Sequence, residues 1–189
     1  MDDDIRIRTK RLCLRSWRQG DAALIEKVCN TPSVMRWLGG VQTRSQLNAD
    51  ISYFVASEVR RGITYWVMER LADAAFLGFC GLVRIPDRDC PIAGVLEIGW
   101  RLRESDWRRG YGIEAALAVM MFAFDEFGAE AVFSRTAPGN AASRKLMTKI
   151  GLKRRRALDY VPAGESDKLF VYSISAREWR AFKAAKIGH

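Results

Sequence analysis

The residues best suited to bind a ligand lie in the short segment Trp107-Arg108-Arg109-Gly110-Tyr111-Gly112. Glycines let the backbone approach a ligand closely and adopt turn geometries that other residues avoid. Amides at the start of a helix point outward and, with the helix dipole, favour a negative group. The segment is therefore suited to bind a diphosphate. It lacks the Lys-Ser/Thr ending of a P-loop and has too few glycines for a dinucleotide fingerprint. A tight turn with two solvated arginines would explain the same residues.

The scarcity of histidine excludes several kinds of active site. His189, the last residue, is the only histidine, whereas Ser-His-Asp and Cys-His nucleophile systems and most zinc sites need an internal imidazole. The cysteines form no close pair with metal-ligand spacing; they are Cys13, Cys29, Cys80 and Cys90. We therefore expect no metal site, and we expect the cysteines to be buried or idle thiols in a reducing compartment.

Length and composition indicate one globular domain spanning residues 1–189, with a sizeable core. No stretch is long and apolar enough to cross a membrane, and the acidic start Met1-Asp2-Asp3-Asp4 argues against a signal or transit peptide. We therefore expect a cytoplasmic protein. The net charge of +9 is concentrated at 101–109 and 144–156. It is compatible with an anionic ligand, nucleic acid, an acidic surface or simply a solvated basic face.

The hydrophobic periodicity predicts the elements that would hold the loop in place. The predicted strands are Ile5–Arg15, Thr64–Arg70, Phe76–Ile85, Val95–Leu102, Ala131–Thr136, and a hairpin of Lys153–Tyr160 with Lys168–Ile174. Helices are predicted from Asp21 to Cys29, from Thr43 or Ser45 to Gly62, from Gly110 to Phe127, and from Asn140 to Gly151. A last helix opens with the capping box Ser175-Ala176-Arg177-Glu178. This order predicts an α+β fold with a mixed sheet.

Several motifs in sequence order resemble the GNAT superfamily of N-acetyltransferases. Glu97–Leu102 precedes the loop and Glu114-Ala115 follows it. The other motifs are Thr9–Arg15, Asn140-Ala141-Ala142-Ser143 and Ile150-Gly151-Leu152. The similarity runs from about Arg8 to Trp179 and points to the branch of the ribosomal-protein acetyltransferases RimJ and RimL. It implies the GNAT-like acyl-CoA N-acyltransferase fold, a mostly antiparallel sheet flanked by helices.

The resemblance implies acetyl-CoA as the co-substrate and assigns residues to its parts. The backbone of Trp100, Arg101 and Leu102 would pair with the pantetheine arm as an added strand does. Asn140 would contact the coenzyme beside the thioester, and it also suits a helix N-cap. Arg108 stands where the branch usually has glycine. The pyrophosphate would be bound by Arg108, Arg109, Gly110, Tyr111, Gly112 and Ile113.

The same comparison gives candidates for proton transfer. Met147 replaces the tyrosine that many relatives use to protonate the departing thiolate, so the hydroxyl of Ser143 is the candidate hydrogen-bond donor; alternatively it merely completes a helical turn. Glu97, acting through water, is the candidate general base, although it could instead face solvent or pair with an arginine. The base position of some relatives is Arg135 here, which closes that route. Glu114 is interpreted as a partner of the helix dipole.

The acceptor would be a primary amine, either a protein N-terminal α-amino group or a small molecule. Aromatic residues could line its pocket or belong to the core; they are Trp37, Tyr53, Trp66, Tyr160 and Tyr172. The alternative function is a non-catalytic acyl-CoA-binding or regulatory protein on the same fold. Nucleic acid is disfavoured as a partner because no recognised binding motif accompanies the charge, and no membrane partner is expected. The oligomeric state stays open, a homodimer included.

Overall fold

The structure, a computed structural model, describes residues 4–85 and 90–186. Its strands are β1 Ile5–Arg8, β2 Leu12–Arg15, β3 Tyr65–Arg70, β4 Ala75–Arg84, β5 Leu96–Leu102, β6 Ala131–Thr136, β7 Lys153–Arg154 and β8 Phe170–Ser175. They form one sheet in the order β1-β2-β3-β4-β5-β6-β8-β7. Strands β5 and β6 are parallel, whereas β1–β2, β2–β3, β3–β4, β6–β8 and β7–β8 are antiparallel. The predicted α+β class with a mixed sheet is confirmed.

The helices are α1 Asp21–Cys29, α2 Pro32–Met35, α3 Arg44–Arg61, α4 Tyr111–Met121, α5 Ala141–Lys149 and α6 Ala176–Lys186. The chain divides into two compact units, which are described separately. The first comprises Met1–Val83 and Gly99–Val119, and the second comprises Arg84–Ile98 and Met120–His189. One domain over residues 1–189 stays a prediction. No helix among the described residues has the length and apolar character needed to span a bilayer.

In the first unit, helices α1 and α3 pack on the sheet. Their apolar residues meet β3 and β4 in a cluster of Ile25, Cys29, Leu47, Val67, Phe76 and Phe79. Helix α3 begins with a capping box between Thr43 and Gln46 and ends at Gly62, whose φ of 69° is left-handed. Both helix boundaries were predicted from the sequence and are confirmed.

In the second unit, β6 pairs with β8 along its whole length. The core beside these strands contains Ile85, Cys90, Ile92 and Val171. The predicted capping box of α6 is confirmed, because Ser175 N donates to Glu178 Oε2 at 3.0 Å and Glu178 N donates to Ser175 Oγ at 3.2 Å. All four cysteines are buried, as expected, and none of them is in a disulfide bond.

The prediction of one strand from Ile5 to Arg15 was wrong. These residues form a hairpin, because β1 pairs antiparallel with β2. Thr9 makes the turn: its backbone N donates to Leu12 O at 2.9 Å, and its Oγ1 accepts from Leu12 N at 2.9 Å. A threonine side chain that bonds a nearby backbone group competes in this way with a continuous strand.

Two other elements are shorter than predicted. Helix α4 ends at Met121 and continues as a π-turn over Phe122–Glu126. The first strand of the late hairpin is only Lys153–Arg154, followed by a 3-10 turn and the single bridge Tyr160–Leu169. The carboxylate of Asp159 accepts from Val171 N at 2.9 Å and from Arg154 Nη2 at 2.6 Å. The Asp159 side chain thus accepts a hydrogen bond from Val171 N, a backbone donor that regular strand pairing would use.

Candidate active site

The segment 107–112, which is called the phosphate loop below, leads from β5 into α4 within the first unit. A 3-10 turn over Glu104–Asp106 follows β5, and the indole nitrogen of Trp107 donates to Leu102 O at 2.8 Å. Glu114 N makes the first backbone bond of the helix, to Gly110 O at 3.1 Å. The preceding amides of the first turn have no intrahelical acceptor, so this end of α4 can donate several hydrogen bonds to an anion.

Arg108 and Gly110 both have left-handed backbone, with φ of 60° and 83°. This explains why glycine is usual at the position of Arg108, because a residue with a Cβ atom there costs about 1–2 kcal/mol. The side chain of Arg108 is exposed. The resemblance assigns Arg108 to pyrophosphate binding, and that assignment stays a prediction.

The buried carboxylate of Asp106 anchors the loop. Its side chain is 2% exposed and accepts hydrogen bonds from Arg103 Nε and from Arg70 Nη1, the latter at 3.1 Å. Arg109 Nη1 lies 3.6 Å from the same carboxylate. Burial alone would raise the pKa of Asp106, but the hydrogen bond from Arg103 and the neighbouring positive charges lower it. Three guanidinium groups thus share one carboxylate. Their positive charge exceeds the negative charge of Asp106, so the loop can attract a phosphate.

A second anchor, which the sequence reasoning missed, is Glu114 in the first turn of α4. Its Oε1 accepts from Thr9 Oγ1 at 2.7 Å and from Arg11 N at 2.8 Å, and its Oε2 accepts from Arg11 Nε at 2.6 Å. Arg11 Nη1 also donates to Arg109 O at 3.0 Å, and its guanidinium lies 4.4 Å from the centre of the Tyr111 ring. The turn between β1 and β2 therefore clamps the phosphate loop.

Glu114 was predicted only as a partner of the helix dipole. It does lie in the first turn of α4, and burial alone would raise its pKa. The hydrogen bonds from Thr9 and Arg11 lower the pKa instead. These contacts of Thr9 and Arg11 with Glu114 are called the clamp below. The sequence contains the motif that begins at Thr9, but its spacing does not indicate which distant carboxylate binds these residues.

Trp100, Arg101 and Leu102 form the end of β5, as predicted. The backbone of this segment lies very close to β4, because a Cβ atom added at Gly78 would come within 2.0 Å of Arg101 O. Arg103 N continues the contact by donating to Leu77 O at 2.9 Å. The pairing of residues 100–102 with a pantetheine arm stays a prediction.

In the second unit, Glu97 is buried beside Arg135. The Glu97 residue is 7% exposed, and its Oε1 accepts from Arg135 Nε at 3.1 Å. Arg135 also donates to the hydroxyl of Tyr160. Burial raises the pKa of that hydroxyl, although the bond from Arg135 opposes the effect. Of the alternatives for Glu97, the structure has the pairing with an arginine; the catalytic role stays a prediction.

Asn140 and Ser143 lie together at the start of α5. Asn140 Oδ1 accepts from Ser143 N at 3.1 Å, so the N-cap role is confirmed. Neither the Asn140 amide nitrogen nor the Ser143 hydroxyl bonds to any residue in the described parts of the chain. Both groups can therefore donate to a ligand. Met147, one turn further along the helix, is 1% exposed and belongs to the core.

The predicted site residues thus fall into two sets, each within one unit. Residues 100–102 and 108–113 belong to the first unit, while Glu97, Asn140 and Ser143 belong to the second. Of the aromatic candidates for the acceptor pocket, Trp66 is fully buried and Tyr172 is 7% exposed, so both are core residues, whereas Trp37 is 39% exposed. Residues 4–85 and 90–186 contain no His, Cys, Asp or Glu cluster that could hold a metal ion.

The chain is similar to several known proteins. The uncharacterized protein YkkB of Bacillus subtilis is 29% identical over 153 residues, which is 80% of this chain and 87% of that one. An FsC-acetyl coenzyme A-N(2)-transacetylase of Aspergillus fumigatus is 30% identical over 125 residues, 62% of this chain and 52% of that one. The crystal structure of a GNAT-family acetyltransferase from Bacillus anthracis covers 90% of this chain and 98% of its own, with a TM-score of 0.75 and 20% identity.

The structural likeness confirms the predicted GNAT fold, a mostly antiparallel sheet flanked by helices. The model of the acetyltransferase (GNAT) domain matches residues 11–153, from the clamp at Arg11 through the phosphate loop and α5 to β7. The chain therefore belongs to the GNAT acetyltransferase family.

Proposed function

We propose that the protein is an N-acetyltransferase of the RimJ/RimL-like branch that transfers an acetyl group from acetyl-CoA to a primary amine in the cytoplasm. The acceptor is a protein N-terminal α-amino group or a small-molecule amine, and it attacks the thioester directly in a ternary complex. The observation that carries this proposal is the doubly anchored loop at the start of α4, with its outward amides and exposed arginines, in a chain of the GNAT family.

The donor is bound without a metal ion. The amides of residues 108–113 bind the pyrophosphate at the positive end of α4, and Arg108 and Arg109 add charge. The backbone of Trp100 to Leu102 pairs with the pantetheine arm, and the Asn140 amide nitrogen binds beside the thioester. One relative, the Aspergillus protein, carries acetyl coenzyme A in its name, which supports this choice of donor.

Glu97 is the general base. A primary amine has a pKa of about 8 for an α-amino group and about 10 for a lysine side chain, so it must lose a proton before it attacks. Glu97 accepts that proton through a water molecule, while Arg135 holds the carboxylate in place. Arg135 is therefore a positioning residue in this proposal.

The leaving group needs little acid assistance. A thiolate with a pKa of about 8.5 leaves readily, and a hydrogen bond from the Ser143 hydroxyl stabilises it further. This hydroxyl bonds to no described residue, which supports the assignment. Met147 contributes packing and no proton, because it is buried.

Donor binding is tested with two glycine variants. Gly110→Ala adds a Cβ atom at a φ of 83°, 3.2 Å from Arg11, whereas the control Gly128→Ala adds one at a φ of 71° in open space. Both variants carry similar backbone strain. We expect calorimetry to show acetyl-CoA binding weakened at least tenfold, about 1.4 kcal/mol, in the first variant and unchanged in the control. No heat of binding with the wild-type protein would overturn the proposed donor.

Transfer is tested by thiol release with a panel of amines and peptides. We expect release that depends on the acceptor and that Glu97→Gln reduces across the pH range. The second candidate function is a non-catalytic acyl-CoA-binding protein, which Met147 and the Glu97–Arg135 pair favour. Acetyl-CoA binding without thiol release from any acceptor would support that function instead.

A further inference from the structure

Arg101 is a largely enclosed cation that forms no direct ion pair with a carboxylate among the described residues. Its Nη1 donates to Gln42 Oε1 at 3.2 Å, its guanidinium lies 5.1 Å from the centre of the Phe79 ring, and its Nε is buried without a hydrogen-bond partner. In the described parts of the chain, no Asp or Glu forms an ion pair with it. The residue nevertheless keeps part of its surface open.

Arg15, a fully buried arginine of the same unit, shows what the fold supplies when the role is structural. It is bound by Asp21 at 2.8 and 2.9 Å and by Glu69 at 2.6 Å. For Arg101, burial lowers the pKa, and the opposing effects of Cys29, the Asp50 carboxylate and Tyr65 do not offset it. Arginine still stays charged in proteins. A buried charge normally requires a partner of opposite sign, so Arg101 is suited to receive one from a ligand.

Hydrogen bonds hold in place the Gln42 side chain that contacts Arg101. The Asn30 side chain bonds the backbone of Gln42 in both directions, at 2.8 and 2.9 Å. Gln42 Nε2 donates to Asp50 Oδ2 at 2.8 Å. These bonds fix the Gln42 amide oxygen towards Arg101. A neutral amide orients the guanidinium without neutralising it, so the charge stays available to an anion.

We propose that the Arg101 side chain binds a carboxylate of the acceptor, so that the preferred substrates are anionic primary amines such as amino acids or peptides with an acidic residue near the N-terminus. The proposal rests on the proposed function and names the acceptor class. A guanidinium can hold a carboxylate through two parallel hydrogen bonds. The side chain serves the acceptor here, whereas the backbone of Arg101 serves the pantetheine arm.

The segment beside Gln42 supports a substrate that also has an apolar part. Between α2 and α3, three large apolar side chains are exposed: Trp37 at 39%, Leu38 at 47% and Val41 at 55%. An amphiphilic acceptor could place its carboxylate on Arg101 and its apolar atoms on this segment.

The test uses amines in isosteric pairs, each a carboxylate and its primary amide. The pairs are 4-aminobutyrate with 4-aminobutanamide, and amidated peptides that begin with Asp or Asn. Rates of thiol release are measured for the wild type, Arg101→Met, Gln42→Glu, and the control Arg61→Met, an exposed arginine at the end of α3. Binding of each amine to the protein saturated with coenzyme A is measured by calorimetry in parallel.

We expect the wild type to prefer the carboxylate at least tenfold in kcat/KM within one or both pairs. Arg101→Met lowers kcat/KM for the carboxylate member at least tenfold more than for the amide member, and so removes the preference. Gln42→Glu also reduces the preference, because the new carboxylate competes for Arg101. The control keeps the preference. Gln42→Glu retains the arginine, so it tests the proposal even if Arg101→Met folds poorly.

Three results would overturn the proposal: equal use of both members of each pair by the wild type, an equal loss for both members in Arg101→Met, or weaker acetyl-CoA binding in Arg101→Met and Gln42→Glu. The last result would make a coenzyme phosphate the anion. If no amine releases thiol, the proposed function fails, and the calorimetric preference for the carboxylate still decides the role of Arg101.

Discussion

At residue 108 the backbone geometry and the side chain make opposite demands. The φ of 60° favours glycine, yet the chain has an arginine there. We expect Arg108→Gly to raise the free energy of unfolding by up to about 1 kcal/mol, because relief of the left-handed strain exceeds the entropy cost of glycine. Thermal unfolding measures the effect, and a rise of about 2–4 °C corresponds to 1 kcal/mol in a chain of this size.

The companion variant Arg108→Ala separates the charge from the backbone, because it loses the guanidinium and keeps the strain. If the amide of residue 108 binds the pyrophosphate, both variants should bind acetyl-CoA with nearly the same affinity, weakened only by the lost charge. A much larger Kd for acetyl-CoA in the glycine variant than in the alanine variant would mean that the rigidity of the turn contributes more to binding than the relief of backbone strain does.

Also at the residue scale, Arg135 should control the pH dependence of a reaction that uses Glu97 as the base. Removing a cation 3.1 Å from the carboxylate disfavours its ionised form. In Arg135→Gln, the acidic limb of the kcat/KM profile should therefore move to higher pH. Arg135→Lys retains the charge and serves as the control, with a profile close to that of the wild type. An unmoved acidic limb in the glutamine variant would argue against Glu97 as the titrating group.

At the scale of elements, the turn between β1 and β2 holds the phosphate loop through Arg11 and Glu114. We expect Arg11→Met to weaken acetyl-CoA binding about tenfold, or about 1.4 kcal/mol, because Arg109 O and Glu114 lose their donor. The measured KM for acetyl-CoA should rise more than kcat falls. The control Arg8→Met removes an exposed arginine from the neighbouring strand and should leave both constants unchanged.

A general loss of stability would lower kcat through a reduced folded fraction in Arg11→Met, without a specific rise in KM. Glu114→Gln tests the other partner of the clamp. It keeps the shape of the side chain but loses the ion pair, so its KM should lie between those of the wild type and Arg11→Met. Equal KM values in all three proteins would remove the clamp from donor binding.

The same elements show what the sequence could and could not predict. The strand-to-helix loop, the caps at Thr43 and Asn140 and the capping box at Ser175 follow from local residue preferences, and all four are present. The hairpin turn at Thr9 was missed because a single side-chain bond decides it. The partners of Glu97 and Glu114 were also not predictable, since each depends on an arginine that sheet pairing or packing brings from a distant part of the chain.

At the scale of the whole molecule, charge ties stability to pH. The net charge is +9 at neutral pH, and guanidinium groups surround many carboxylates. Six described carboxyl groups have a lowered pKa: Asp4, Asp73, Asp106, Glu114, Asp159 and Glu178. Each group contributes stability that is present above its unfolded pKa and is lost as the pH falls through its folded pKa. Protonation also adds positive charge and increases self-repulsion.

Glu178 gives the sharpest test of this acid sensitivity. The bond from Ser175 N, together with those from Arg155 and Lys153, lowers its pKa from 4.5 to about 2. Its side chain is 25% exposed, so screening reduces the contribution to about 1–2 kcal/mol. We expect Glu178→Gln to lower the free energy of unfolding by that amount at pH 7, and the difference from the wild type to shrink between pH 4.5 and 2. Urea denaturation at several pH values measures this difference.

The control Glu165→Gln makes the same change on an exposed loop and should follow the wild type throughout. A deficit in Glu178→Gln that persists unchanged at pH 2 would mean that the capping geometry, and not the charge, stabilises α6.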